Sequence, residues 1–225
     1  MFNNQLKELP EANKQKNKEG ISLWGEAWKR LKKNKGAMFG LYLVIFIIFV
    51  AVFAPLFATH DPTEIDLVNM LQGPSKDHWF GTDYYGRDLY SRIIYGTRIS
   101  LYVGIISQVI SITIGVVMGL LAGYYRGKVE MIIMRLVDII MGFPGLLFII
   151  AVRVALGPEL HNIFIALGMV GWAGIARVIR SKVLSIRENS YIEAADSIGQ
   201  SDFKIIFKHI LPNALAPAIV SFTMG

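Results

Sequence analysis

The stretch YIEAADSIGQSDFKIIFKHILP, Tyr191 to Pro212, sets charges, paired alanines and a lone glycine between two apolar runs. Ser190 and Glu193 have the spacing of a capping box, in which a hydroxyl and a carboxylate each satisfy a free amide of the first turn. The spacing predicts a helix from Ser190 to Ile198, with Gly199 as its left-handed stop. So short a helix is marginal alone and needs tertiary or partner contacts. Ser201 or Asp202 then caps a second helix. Phe203, Ile206, Phe207 and Ile210 follow i, i+3, i+4, i+7 and predict one apolar stripe, with Lys204 and Lys208 off it. Pro212 predicts a bend into the next apolar run. Ala194 and Ala195 have so little bulk that a groove on another protein could close over their backbone. A plain connection is usually about 4–6 residues long. Two capped helices in one loop therefore favour a docking element over a simple connector.

The flanking runs set the class. The chain has 225 residues, 53% hydrophobic and 18% charged, which favours a membrane protein over a soluble domain. Gly36 to Thr59 and Ile99 to Tyr125 carry no charge, and each exceeds the roughly 20 residues that cross a bilayer core. Met131–Leu156 and Leu160–Ala176 read as two more spans. From Ile210 the sequence is apolar again, and the expectation is that it ends inside a fifth span. The first run is preceded by a long charged leader and exceeds the apolar region of a secretion signal. The domains expected are a basic leader over 1–35, a first span over 36–59, a segment over 60–98 and a core over 99–225 with a loop at 177–212. Cysteine is absent, which removes disulfides and thiolate metal sites.

Basic residues orient the spans. Nine of the 23 Lys/Arg lie in 1–35, and Lys/Arg flanking spans mark the cytoplasmic side. Alternation then puts 60–98 outside, with an excess of acidic residues. Arg126, Lys128 and Arg135, and later Arg177, Arg180, Lys182, Arg187, Lys204 and Lys208, fall inside. The opening stretch is thereby expected to be cytoplasmic. The net charge of +6 is a topology signal and not a nucleic-acid footprint.

Ser107, Ser111, Gly115, Gly119 and Gly123 recur every four residues, so one face of the second span lets another helix approach closely. Pro144 in MGFPG predicts a kink in the third span. Arg135 and Asp138 are spaced to pair. Arg153 can snorkel to the outer interface or face a water-filled path. Thr82 or Asp83 is expected to cap an amphipathic helix from Tyr84, with Tyr85, Leu89 and Ile93 on one face and Asp88 paired with Arg92. No catalytic constellation stands out. GYYRGK, Gly123–Lys128, is one residue short of a phosphate-binding loop, and His60, His78, His161 and His209 show no metal-ligand spacing. No catalytic residue and no metal are expected. A gradient-driven secondary transporter or channel, the alternative, tends to hold ionisable groups at mid-membrane. Only Asp138 and Arg153 qualify. A membrane-embedded enzyme needs an acid, base or metal cluster at depth, and the spans offer none.

EAADSIG followed by HILPN resembles the cytoplasmic signature of ABC-importer permeases, E-A-A-x3-G-x9-I-x-L-P. Glu193, Ala194, Ala195, Gly199, Leu211 and Pro212 match, and His209 replaces an Ile. That replacement, with Asn213, is similar to the dipeptide/oligopeptide/nickel branch. His78–Gly104 and Gly171–Ala195 resemble its C-type permease subunit. The resemblance implies an all-α polytopic permease of the type I importer class with about six spans in the full chain. It implies a bacterial cytoplasmic-membrane location and a cytoplasmic N-terminus. The chain would form half of a pathway for peptides or related solutes, with a second permease subunit completing a heterodimer in membrane lipid. Two cytoplasmic ATPases would hold ATP and Mg, none being held by this chain, and a binding protein outside would select the substrate. Tyr191, Glu193, Ala194, Ala195, Asp196 and Gly199 would form the coupling helix that enters an ATPase cleft. Phe203, Lys204, Phe207, Lys208, His209, Leu211 and Pro212 would form its supporting second helix. Arg153 departs from a position that is usually apolar in the family.

Overall fold

The structure is a computed structural model that describes residues 23–224. Most of the basic leader lies outside the described residues. The chain divides into two compact units, Met1–Arg98 and Ile99–Gly225. No strand occurs among the described residues, where one isolated antiparallel bridge pairs Thr82 with Asp88.

The first unit opens with α1 (Leu23–Lys33), α2 (Lys35–Val52) and the single turn α3 (Ala54–Phe57). Asn34 separates the first two and caps α2, accepting from the Ala37 amide at 3.2 Å. α2 is apolar all round, with Phe39, Tyr42 and Phe46 exposed. A helix of this kind is stable only in lipid or against another membrane protein.

From Ala58 to Asp88 the chain is irregular apart from a 3-10 turn at Leu67–Asn69. Polar groups hold it together. Thr82 donates to the Asn69 carbonyl and accepts from the Gln72 amide at 2.9 Å. Asp83 accepts from the Tyr85 and Arg87 amides and from the Arg87 guanidinium. Gly86 has a φ of +72°, and a Cβ there would lie 1.6 Å from the Asp66 carbonyl oxygen, so only glycine fits.

This geometry corrects several expectations. The helix begins at Leu89 and not near Tyr84, because the left-handed turn at Gly86 interrupts the helical path. Its N-cap is Asp88, which accepts from the Ser91 amide at 2.8 Å. Thr82 and Asp83 are spent inside the loop. Arg92 reaches Asp83 at 3.5 Å and not Asp88, which is already held by Ser91 and His78. His60 and His78, read as scattered, lie with ring centroids 4.7 Å apart.

The long helix α4 (Leu89–Tyr125) continues into the second unit. Arg126 and Gly127 are both left-handed and turn the chain into α5 (Gly127–Gly142). α6 (Gly145–Leu156) follows, bent 99° from α5. The expected kink is thus a break. Proline disfavours helical backbone in the residue before it, and Phe143 is extended, so two consecutive residues leave the helix. α7 (Leu160–Arg187), α8 (Ser190–Ser197) and the short α9 (Asp202–Lys204) come next. A π-helical turn at Ile205–Ile210 joins α9 to α10 (Leu211–Met224) without a gap. Among the described residues α2, α4 and α7 are long and apolar enough to cross a membrane. The bent pair α5–α6 makes a fourth if counted as one span.

The core of the second unit forms where α4 meets α7. Ser107, Ser111, Gly115, Gly119 and Gly123 are all buried there. Ser111 donates to the Gly168 carbonyl at 3.2 Å. A Cβ on Gly119 would sit 2.7 Å from the Ala176 carbonyl oxygen, and one on Gly123 would be 2.7 Å from the Val183 Cβ. α5 packs on α7 as well, placing Val137 against Trp172, Ala173 and Ala176, with Ile114 and Met118 of α4 against the same cluster.

Candidate docking site

α8 is built to present one face and bury the other. Asn189 starts it, and its side-chain amide donates to the Ser185 and Ile186 carbonyls that end α7. One residue therefore closes one helix and opens the next. The Ser190–Glu193 capping box does not form: the N-cap is Asn189, without a side-chain bond. At the other end the Gly199 amide bonds to Asp196 O at 2.9 Å and the Gln200 amide to Ala195 O at 3.1 Å. With Gly199 at φ +76°, these two bonds make the left-handed stop expected there.

Ile192 and Ala195 are buried, in one cluster with Leu120 and Tyr124 of α4, Ile179 and Val183 of α7, and Ile205 and Ile210 of the π turn. Tyr191, Glu193, Ala194, Asp196, Ser197 and Ile198 are exposed. The two alanines thus part company, Ala195 inward and Ala194 outward. Burial of Ile192 alone is worth roughly 1.5–3 kcal/mol, which helps hold an eight-residue helix that would not persist by itself.

In the second half of the loop the expected stripe holds at Ile206 and Ile210 but not at Phe203 and Phe207. Ile205, Ile206 and Ile210 face the core, while Phe203 and Phe207 are exposed and stack on each other with centroids 4.3 Å apart. The π turn is the reason. Its wider winding brings Ile205 onto the buried face, so spacing counted for an α-helix finds Ile206 and Ile210 but misplaces Phe203 and Phe207. It also keeps the backbone helical through exposed Pro212, where a bend was expected. Lys204 and Lys208 are exposed, and Leu211 is half-buried against the core. His209 is half-buried, with Nε2 3.2 Å from Gln200 Oε1 and its ring 6.4 Å from that of Tyr191.

Polar contacts fasten this layer to the spans. The Tyr124 hydroxyl donates to Asp202 at 2.9 Å, and Arg187 donates to the Tyr124 carbonyl while lying over its ring. Beside α8 is a 510 Å³ cavity whose lining includes Tyr124, Arg126, Arg187, Glu193, Asp196 and Asp202. Asp138 pairs with Arg177 of α7 at 2.6 Å, and not with Arg135. Arg180 pairs with Glu130. Arg153 donates to the Pro158 carbonyl at 3.3 Å, at the end of α6.

Residues 115–225 match the family described as the binding-protein-dependent transport system inner membrane component. Residues 22–74 match the N-terminal transmembrane domain of oligopeptide transport permease C.

The chain belongs to the permease subunits of ABC-type importers.

The dipeptide transport system permease protein DppC of Alkalihalophilus pseudofirmus is 47% identical over 91% of this chain and 67% of its own length. DppC of Bacillus subtilis is 41% identical, over 94% of this chain and 68% of its own. The oligopeptide transport system permease protein OppC of the same organism is 40% identical, over 92% and 68%. This permease is a polytopic helical membrane protein of the translocation pathway of an ATP-driven importer.

Proposed function

We propose that this permease forms half of a pathway for peptides or related solutes. In this reading the α8 helix is the point where an ATPase subunit grips it. The observation that carries the reading is the two-sidedness of α8: Ile192 and Ala195 are locked into the core that contains both α4 and α7, and Tyr191, Glu193, Ala194 and Asp196 are free to be covered. Force applied to the bare face reaches two membrane-spanning helices through packed side chains, with only Asn189 and Gly199 as joints. An ATPase drives transport only by binding one state of the permease better than another. A rod without this attachment would move alone.

The relatives named for dipeptide and oligopeptide transport support a peptide substrate. A second permease subunit completes the pathway and covers part of the exposed apolar surface of α2. A separate binding protein delivers substrate on the outer side. ATP and Mg are held by two cytoplasmic ATPases and not by this chain. The basic leader faces the cytoplasm of a bacterial cell, a reading that the Lys/Arg distribution supports.

Ala194→Arg places a long charged side chain on the exposed face and leaves the buried face intact. The expected result is a permease that still reaches the membrane and pairs with its sister subunit. It no longer co-purifies with the ATPase, and ATP-dependent peptide uptake into proteoliposomes is lost. Normal ATPase capture with normal uptake would reject the assignment.

A further inference from the structure

Among the described residues, His60, His78 and Asp88 each offer a ligand atom, and the three atoms lie within 4.8 Å of one another. Asp88 is 2% exposed. Its two oxygens are differently used. Oδ2 accepts from the Ser91 amide at 2.8 Å and from the Thr59 hydroxyl at 3.5 Å, which fixes the carboxylate plane. Oδ1 faces His78 Nδ1 at 3.1 Å. Donors of a tetrahedral ion with bonds of about 2.0–2.1 Å lie ~3.3 Å apart, so this edge is already the right length. His60 is exposed, and its Nδ1 lies 3.0 Å from Thr59 Oγ1, so its ring is held next to that of His78.

The surroundings favour a cation. The 180 Å³ cavity here is lined also by Asp61, Glu64, Asp66 and Asn69, and by no Lys or Arg. Burial would raise the Asp88 carboxyl, but the Ser91 amide and hydroxyl, then His78 and His60, hold it below the ordinary carboxylate range. One divalent ion satisfies all three donors.

We propose that His60, His78 and Asp88 bind a divalent transition-metal ion of the Zn²⁺ class, with water completing its shell. The ion replaces the proton shared between His78 Nδ1 and Asp88 Oδ1, and His60 swings in as the third ligand. Two imidazoles and one carboxylate select such an ion over Mg²⁺ and Ca²⁺, which prefer all-oxygen sets. Ser91 and Thr59 orient the carboxylate from behind. The bound ion clips together three points of a segment that otherwise relies on hydrogen bonds.

The test uses the full-length permease, purified, stripped with chelator and titrated with Zn²⁺ alone against a chromophoric indicator. Co²⁺ serves as a spectroscopic stand-in. One Zn²⁺ per chain is expected, with Co²⁺ bands of a four-coordinate nitrogen–oxygen site and no competition from Mg²⁺. His60→Ala, a change at an exposed side chain, weakens Zn²⁺ binding by at least about tenfold, and His78→Ala does the same. His161→Ala and His209→Ala leave it unchanged. Any of three results overturns the proposal: no stoichiometric Zn²⁺ in wild type, which leaves His78–Asp88 a hydrogen bond only; affinity unaltered in both His60→Ala and His78→Ala; or displacement by equimolar Mg²⁺.

Discussion

Two polar segments of this permease are held by opposite means. The segment 58–88 of the first unit buries polar groups: Thr82 is 4% exposed and Asp88 2%, with Ser91 at the helix start fully buried. The loop 188–210 of the second unit buries Ile192, Ala195, Ile205, Ile206 and Ile210 and turns its charges out. A hydrogen-bonded core specifies one register, since each donor has one acceptor at the right distance. An apolar core attaches an element firmly but tolerates small shifts. The first design suits a segment that keeps one shape. The second suits the gripped and moved rod proposed for α8.

The contrast can be broken by substitution. Gly86→Ala has the largest expected effect: a Cβ would meet the Asp66 carbonyl carbon at 2.5 Å and its oxygen still closer, at a φ of +72°. Strain and overpacking together cost about 3–5 kcal/mol, read as rapid proteolysis of residues 60–88 with the second unit still protected. Gly127→Ala is its control. It has a positive φ and no atom within 4 Å of a Cβ, and should cost only about 1–2 kcal/mol.

Ile192→Ala comes next. It removes the anchor of α8 and costs about 2–4 kcal/mol, seen as faster amide exchange across Ser190–Ser197 with exchange in α7 little changed. Exposed Ile198→Ala leaves exchange as in wild type. Should both variants behave alike, α8 is not anchored by its buried face. Gly119→Ala, in the α4–α7 contact, costs about 1–3 kcal/mol because the Ala176 backbone stands in the way. Gly104→Ala in the same helix meets nothing within 4 Å and should be neutral or slightly stabilising in a thermal melt.

The smallest effect is pH-dependent. Burial would raise the Asp83 carboxyl, but hydrogen bonds from the Arg87 guanidinium and the Tyr85 and Arg87 amides hold it down to about 2. The folded value lies below that of an unfolded aspartate, near 3.9. Its stabilisation is therefore complete above about pH 4 and fades as pH falls towards 2. Asp83→Asn should lower protease resistance of 60–88 at pH 6 and flatten its acid dependence between pH 4 and 2. An unchanged acid profile would mean other carboxylates dominate.

Much of the helical architecture was legible in the sequence because its signals are local or periodic. Uncharged length marks α2 and α4, the four-residue ladder marks the α4 face that meets α7, and Gly199 marks the end of α8. What escaped the sequence needed either an irregular turn or a distant partner. Of the expected stripe, Ile206 and Ile210 are buried, whereas the π turn adds Ile205 to that face and leaves Phe203 and Phe207 outside it. Asn189 took the cap from Ser190 because its side chain also serves α7. Asp138 found Arg177 across a helix pair in place of its neighbour Arg135. His60, His78 and Asp88 meet only because the chain folds back through the left-handed turns at Gly81 and Gly86, and no spacing rule encodes that path.

The chain contains no cysteine, which makes the direct test clean. Single cysteines at exposed Glu193, Ala194 and Ser197, and at buried Ile192 and Ala195, can be challenged with a thiol cross-linker in membranes holding the assembled transporter. Cross-links to an ATPase subunit are predicted from 193, 194 and 197 and not from 192 and 195, together with labelling by an impermeant thiol reagent only in inverted vesicles. Labelling of 194 from the outer side, or an ATPase cross-link pattern indifferent to which face carries the cysteine, would contradict the account.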